Sequence, residues 1–140
     1  MVATGGNDNR LLLFSLKMMD KMTAWNEHNA AVKAISFNPK HPSIASGGGT
    51  ADKKIRIFSL QTFEKMSEID TGSQVCNMRF SPISNELVTT HGYSLNQIIL
   101  WKWDENCQLT KIDSLMGHKN RVLYLAGEEE GPRIVTGAGD

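Results

Sequence analysis

The chain has 140 residues, with 15 basic and 15 acidic side chains and a formal charge of zero. That balance leaves no chain-wide field to hold nucleic acid or an anionic membrane, which excludes the functions that depend on one. No apolar run approaches the roughly 18 residues that cross a bilayer, and no basic stretch leads into a hydrophobic run with a cleavage site at the N-terminus, so membrane insertion and secretion are not expected.

In chain order, one phrase returns four times: a small-residue strand, a Gly/Asn/Asp-rich turn, then in most copies a short apolar strand with an aromatic. The first copy predicts strands at Val2 to Thr4, Leu11 to Ser15 and Lys21 to Trp25, with a tight turn at Gly6 to Asn9. Met18, Met19 and Met22 beside it are expected to fill core. The second copy predicts strands at Val32 to Phe37, Ser43 to Gly47, Lys54 to Ser59 and Glu64 to Ile69. The third runs through Val75 to Phe80, Glu86 to Thr90, Gln97 to Lys102 and Leu109 to Asp113. The fourth holds Arg121 to Ala126, an acidic solvated turn at Glu128 to Gly131, and Arg133 to Thr136.

Equivalent residues Ala3, Ala45, Val88 and Val135 step by 42, 43 and 47, and Val32, Val75 and Val122 repeat the last two steps. Periods near 40 to 45 with strand-length apolar runs mark four-stranded propeller blades. The expected fold is therefore all-β: an incomplete β-propeller over residues 1–140. Residues 1–27 end one blade, 28–70 form a second, 71–116 a third, and 117–140 begin a fourth. About three blades are present where closed rings have typically 4 to 8, so the chain reads as a fragment or an incomplete gene product.

Buried strand positions cannot leave polar atoms unpaired without a cost of about 1 to 3 kcal/mol. The copies resemble WD repeats, in which a His, a Ser or Thr, an Asp and a Trp form one hydrogen-bonded chain within a blade. His28, Ser46 and Asp52 fit that pattern, with Phe58 in the Trp position. His118, Thr136 and Asp140 fit it in the fourth copy, and Thr4 and Asp8 in the first, with Phe14 in the Trp position. The third copy has Trp101 but Gly72 where the His is expected.

Other chemistry finds no support in the spacing. His28, His41, His91, His118, Cys76 and Cys107 form neither a Cys-x-x-Cys pair nor a helical His pair, so no metal or other cofactor is expected. Cys76 and Cys107, far apart and in or beside strands, read as free thiols in a reducing compartment. Gly47-Gly48-Gly49-Thr50 begins like a phosphate loop, but no Gly-Lys-Ser/Thr follows and the next residues are a strand. No nucleophile elbow is present, and no enzyme activity is expected.

The turns carry more than a general repeat requires. Gly5-Gly6-Asn7-Asp8-Asn9, Gly47 to Asp52, Ser73-Gln74-Val75-Cys76 with Thr90-His91-Gly92-Tyr93-Ser94, and Arg121 to Leu125 together resemble the Fizzy/Fizzy-related family, activators of the anaphase-promoting complex, a ubiquitin ligase. Asp70 to Asn77 and Ile134 to Asp140 lean toward the Fizzy-related branch. Leu95, Phe58-Ser59 and Glu128 to Gly131 depart from the family pattern.

The resemblance implies a seven-bladed WD-repeat ring acting in nucleus and cytoplasm, with ligase subunits and proteins carrying Lys-Glu-Asn (KEN) or destruction boxes as partners. It places Asn7, Thr50, Gln74 and Arg121 at the positions of the KEN-box receptor, with the partner for the peptide's ammonium in another blade. Two amides, a hydroxyl and a guanidinium suit a peptide with a carboxylate and a carboxamide, Arg121 being the natural partner of the Glu. The alternative is a WD-repeat scaffold that assembles proteins without reading a degron.

Overall fold

The computed structural model describes all residues, Met1–Asp140, as thirteen strands: β1 (Val2–Gly5), β2 (Leu11–Ser15), β3 (Asp20–Trp25), β4 (Val32–Phe37), β5 (Ser43–Gly48), β6 (Lys54–Ser59), β7 (Lys65–Asp70), β8 (Val75–Phe80), β9 (Glu86–His91), β10 (Ile98–Trp103), β11 (Leu109–Leu115), β12 (Val122–Gly127) and β13 (Ile134–Ala138). They form four antiparallel meanders in sequence order: β1-β2-β3, β4-β5-β6-β7, β8-β9-β10-β11 and β12-β13. The two central sheets are complete four-stranded blades. The first sheet begins at the second strand of a blade, and the last holds the first two strands of one.

Each sheet packs on the next through the same positions. Leu11 and Leu13 of β2 meet Ile44 and Phe58 in one cluster, and Ile55 and Ile57 of β6 meet Val75 and Leu87 in another. Burial of side chains of this size contributes about 1.5 to 3 kcal/mol each, so sheet-to-sheet contact dominates stability. Ile98 and Leu100 hold the corresponding positions in β10, because Thr90 faces Ile98 as Gly47 faces Ile55. No third or fourth strand of the last sheet covers them, and they line a cavity of about 350 Å3 with Leu115, Pro132 and Ile134.

The valines that mark the repeat are the points of closest approach between sheets. A Cβ on Gly5 would lie 2.7 Å from Val32 Cβ, and one on Gly47 would lie 2.7 Å from Val75 Cβ. Only a residue without a side chain fits there. In the third sheet Thr90 takes that place, and its hydroxyl donates to Val122 O at 2.7 Å, so a hydrogen bond replaces the close packing.

Two expectations need correction. Met18 and Met19 lie in the β2–β3 turn and are 76% and 84% exposed, and Met22 is also exposed, so they fill no core. Gln61 and Thr62, in the equivalent turn of the second blade, are exposed as well. The third blade does not lack its histidine: His91, at the end of β9, supplies the ring that position 72 does not.

Candidate functional site at the blade edge

Inside the second blade, Asp52 accepts from His28 Nδ1–H at 2.7 Å, from the Asn29 backbone N–H at 3.0 Å and from Arg56 Nη1 at 2.9 Å. The Ser46 hydroxyl donates to His28 Nε2 at 2.7 Å. Burial lowers the pKa of His28 against the pull of Asp52, with the Arg56 charge adding to the depression. Asp52 is also held below its ordinary value: burial opposes its charge, but the bonds from Asn29, His28 and Arg56 prevail. Arg56 continues the chain to Glu68 on β7 at 2.9 Å, and Glu68 falls to about 2, chiefly through its bond from Lys54. Phe58 stacks on Trp25 with centroids 4.8 Å apart. It offers no donor where the third blade has Trp101.

In the third blade Trp101 Nε1–H donates to Thr89 Oγ1 at 2.8 Å, Thr89 pairs with His91 Nε2 at 2.7 Å, and His91 Nδ1 pairs with Ser73 Oγ at 3.0 Å. Gln97 Nε2 donates to the same Ser73 oxygen. Burial drives His91 down to about 4. In the fourth sheet His118 repeats the second-blade pattern, with Nδ1 3.1 Å from Asp140 and Nε2 3.2 Å from Thr136, while the Lys119 N–H donates to Asp140. These networks pin the turn joining the second and third strands of a blade to the segment entering its first strand.

That pinned edge carries the four candidate residues. Asn7 and Thr50 are exposed in the turns after β1 and β5; Gln74 and Arg121 directly precede β8 and β12. Because the first and second strands are antiparallel, turns after second strands and entries to first strands share one end of the sheets. All four therefore lie on the same edge.

Gln74 and Arg121 are brought together over Gly92. A Cβ on Gly92 would lie 2.7 Å from both Arg121 Cγ and Gln74 Oε1, and the Arg121 guanidinium sits 5.0 Å above the Tyr93 ring. Gln74 is almost fully buried, its backbone carbonyl accepting from Gly92 N–H at 3.0 Å, and only Cys76 Sγ approaches its side-chain oxygen. Arg121 has no carboxylate partner in the chain, and the side chains of Asn7 and Thr50 make no hydrogen bond within it. A bulge follows at the same place in each first strand, after Val32, Val75 and Val122, and bends the strand beside this edge. Sequence reasoning gave no role to Gln97 or Arg56, and it named Tyr93, His91 and Ser73 in the family turns without assigning them one. The aromatic at the tip of a repeat turn was the available signal for Tyr93.

A meander repeated in this way, with a His–Ser/Thr–Asp network inside its blades, defines a WD-repeat β-propeller protein. The WD domain, G-beta repeat family matches residues 20–59, the outer strand β3 of one sheet and the first three strands of the next. Over 99% of its length the chain is similar to Protein FIZZY-RELATED 2 of Arabidopsis thaliana at 52% identity, to Meiotic fizzy-related protein 1 of Schizosaccharomyces pombe at 48%, and to APC/C activator protein CDH1 of Saccharomyces cerevisiae at 44%. It spans 28%, 32% and 24% of those proteins, respectively. A chain in the crystal structure of a Mitotic Checkpoint Complex superposes with a TM-score of 0.92 at 36% identity, covering 98% of this chain and 43% of that one. Over its whole length the chain thus has Fizzy-related and CDH1 proteins as its curated homologues.

Proposed function

We propose that this chain supplies part of the degron-reading face of an activator of the anaphase-promoting complex, with Asn7, Thr50, Gln74 and Arg121 binding a Lys-Glu-Asn peptide. The observation that carries the reading is Arg121: a cation over an aromatic ring with no internal carboxylate, beside the buried amide of Gln74. Two further polar side chains on the same edge have no internal partner. Residues that only stabilised turns would use their polar atoms on the chain's own backbone, as Asp8 and Ser59 do.

In this reading Arg121 pairs with the peptide's Glu, and the amides of Gln74 and Asn7 meet its Asn and backbone. The Tyr93 ring limits the rotamers of Arg121, which reduces the entropy lost on binding. Ligase subunits and KEN-bearing or destruction-box proteins would be the partners, in nucleus and cytoplasm. Calorimetry with a KEN peptide tests the site. Arg121→Glu should weaken binding by about 2 kcal/mol or more, roughly 30-fold, while thermal unfolding stays unchanged. Equal affinity in wild type and variant would leave the scaffold reading in its place.

A further inference from the structure

The residue after each marker valine stands out of its ladder. Val32, Val75 and Val122 pair with the second strands of their sheets, the bulge skips Lys33, Cys76 and Leu123, and pairing resumes at Ala34, Asn77 and Tyr124. These three unpaired residues sit at the entry end of the first strands, the end that carries the candidate residues. In the third blade the skipped side chain turns towards that edge, with Cys76 Sγ 3.7 Å from Gln74 Oε1. Burial raises the pKa of the Cys76 thiol, and the positive charges of Arg121 and Lys33 both act against it. One cation thus stands on each side of the Gln74–Cys76 pair, Arg121 from the fourth sheet and Lys33 from the second.

Backbone bonds set Lys33 among the other candidate residues. The Val32 N–H donates to Gly6 O at 3.1 Å, which lays the Asn7 turn against the start of β4, and the Gly49 N–H donates to Ala31 O at 2.9 Å, which brings the Thr50 turn to the same place. Lys33 is exposed, and neither it nor Arg121 has a carboxylate partner within the chain. The acidic residues of the two turns are turned elsewhere: Asp8 accepts from the Arg10 N–H, and Asp52 is enclosed by His28, Asn29 and Arg56.

On the reading that this edge receives a Lys-Glu-Asn peptide, and resting on it, we infer that Lys33 is a fifth member of the receptor and binds the carboxylate of an acidic residue one or two positions after the peptide's Asn. With the Glu at Arg121 and the Asn at Gln74, the peptide advances from the fourth sheet over the third. Its next residues then arrive over the second, beside Asn7 and Thr50. At about 3.3 Å per extended residue, one or two residues together with the reach of a Glu and a Lys side chain span the step between sheets packed roughly 10 Å apart. A cation at this wet rim selects among peptides more than it adds to affinity.

Calorimetry with the full chain tests the assignment, using Lys-Glu-Asn peptides that differ only in the next two residues: Ala-Ala, Glu-Ala and Ala-Glu. The better acidic peptide should bind about three- to fivefold tighter than Ala-Ala, the size of one partly exposed ion pair, and the gain should shrink as salt rises. Lys33→Met should abolish the gain and leave the Ala-Ala affinity unchanged. Lys33→Glu should reverse it, favouring a peptide with Lys at that position. Lys53→Met serves as control, because Lys53 lies on the same edge but beside the outer strand, its carbonyl accepting from the Thr71 N–H at 2.8 Å, and this variant should keep the preference. Equal binding of acidic and neutral peptides to wild type, or a preference retained in Lys33→Met, would overturn the role of Lys33 and leave the receptor reading standing. Equal binding of the Ala-Ala peptide to wild type and Arg121→Glu would overturn both.

Discussion

Lowering the pH should loosen the third blade through His91. Neutral His91 completes a one-way chain: Trp101 donates to Thr89, the Thr89 hydroxyl donates to His91 Nε2, and Nδ1–H points to Ser73. Protonation would set a second N–H against the Thr89 oxygen and leave the hydroxyl hydrogen without an acceptor, in a place with no access to water. Burial, which disfavours the charged ring, holds the folded pKa at about 4 against an ordinary 6.5. The unfolded chain therefore binds more protons than the folded one between these values. The stabilisation is complete above pH 6.5 and is lost as pH falls through that window, by about 2 kcal/mol at pH 5 and about 3 kcal/mol near pH 4. His28, shifted the same way, adds to the slope. Guanidinium unfolding at pH 7, 6 and 5 would show it, above the range where Glu68 titrates. His91→Gln should be less stable at pH 7 but have a shallower profile. A variant with the wild-type slope would refute the argument that this buried ring governs acid sensitivity.

Gly47→Ala should cost about 1 to 3 kcal/mol in unfolding free energy, because its methyl meets Val75 of the next sheet, whereas Gly139→Ala, with open space around it, should cost little. Trp101→Phe should cost about 0.5 to 1.5 kcal/mol in thermal or denaturant unfolding for the lost bond to Thr89, a state the second blade already tolerates with Phe58. Gly92→Ala should displace Gln74 and Arg121 and reduce KEN-peptide affinity by an order of magnitude or more in calorimetry, with circular dichroism unchanged.

The strand pattern was legible because each blade repeats its own grammar. The recurring phrase located the strands to within about two residues of their observed limits, and the Trp position held by Phe58 agrees with the register, two residues beyond the partner of Ser46 as Trp101 is beyond the partner of Thr89. The polar network was legible where its members kept their customary order, as in His28, Ser46 and Asp52. It was not legible in the third blade, where a histidine reaches inward from the end of the second strand and Ser73 and Gln97 complete the bonds. Arg56 also escaped notice, because alternation in Ile55-Arg56-Ile57 reads as a solvated face while its guanidinium is buried between Asp52 and Glu68. Of the candidate site, the shared edge followed from the repeat. The crossing of Arg121 over Tyr93 depends on a close approach at Gly92 and on strand bulges, which periodicity does not encode.

The claim that the blade edge reads a peptide is tested most directly by nuclear magnetic resonance of the isotopically labelled chain titrated with a Lys-Glu-Asn peptide and with a peptide in which Glu is replaced by Gln. The account predicts saturable shifts at the signals of Asn7, Thr50, Gln74, Gly92 and Arg121, much reduced for the Gln peptide. No shifts, or shifts of equal size with both peptides, would contradict it.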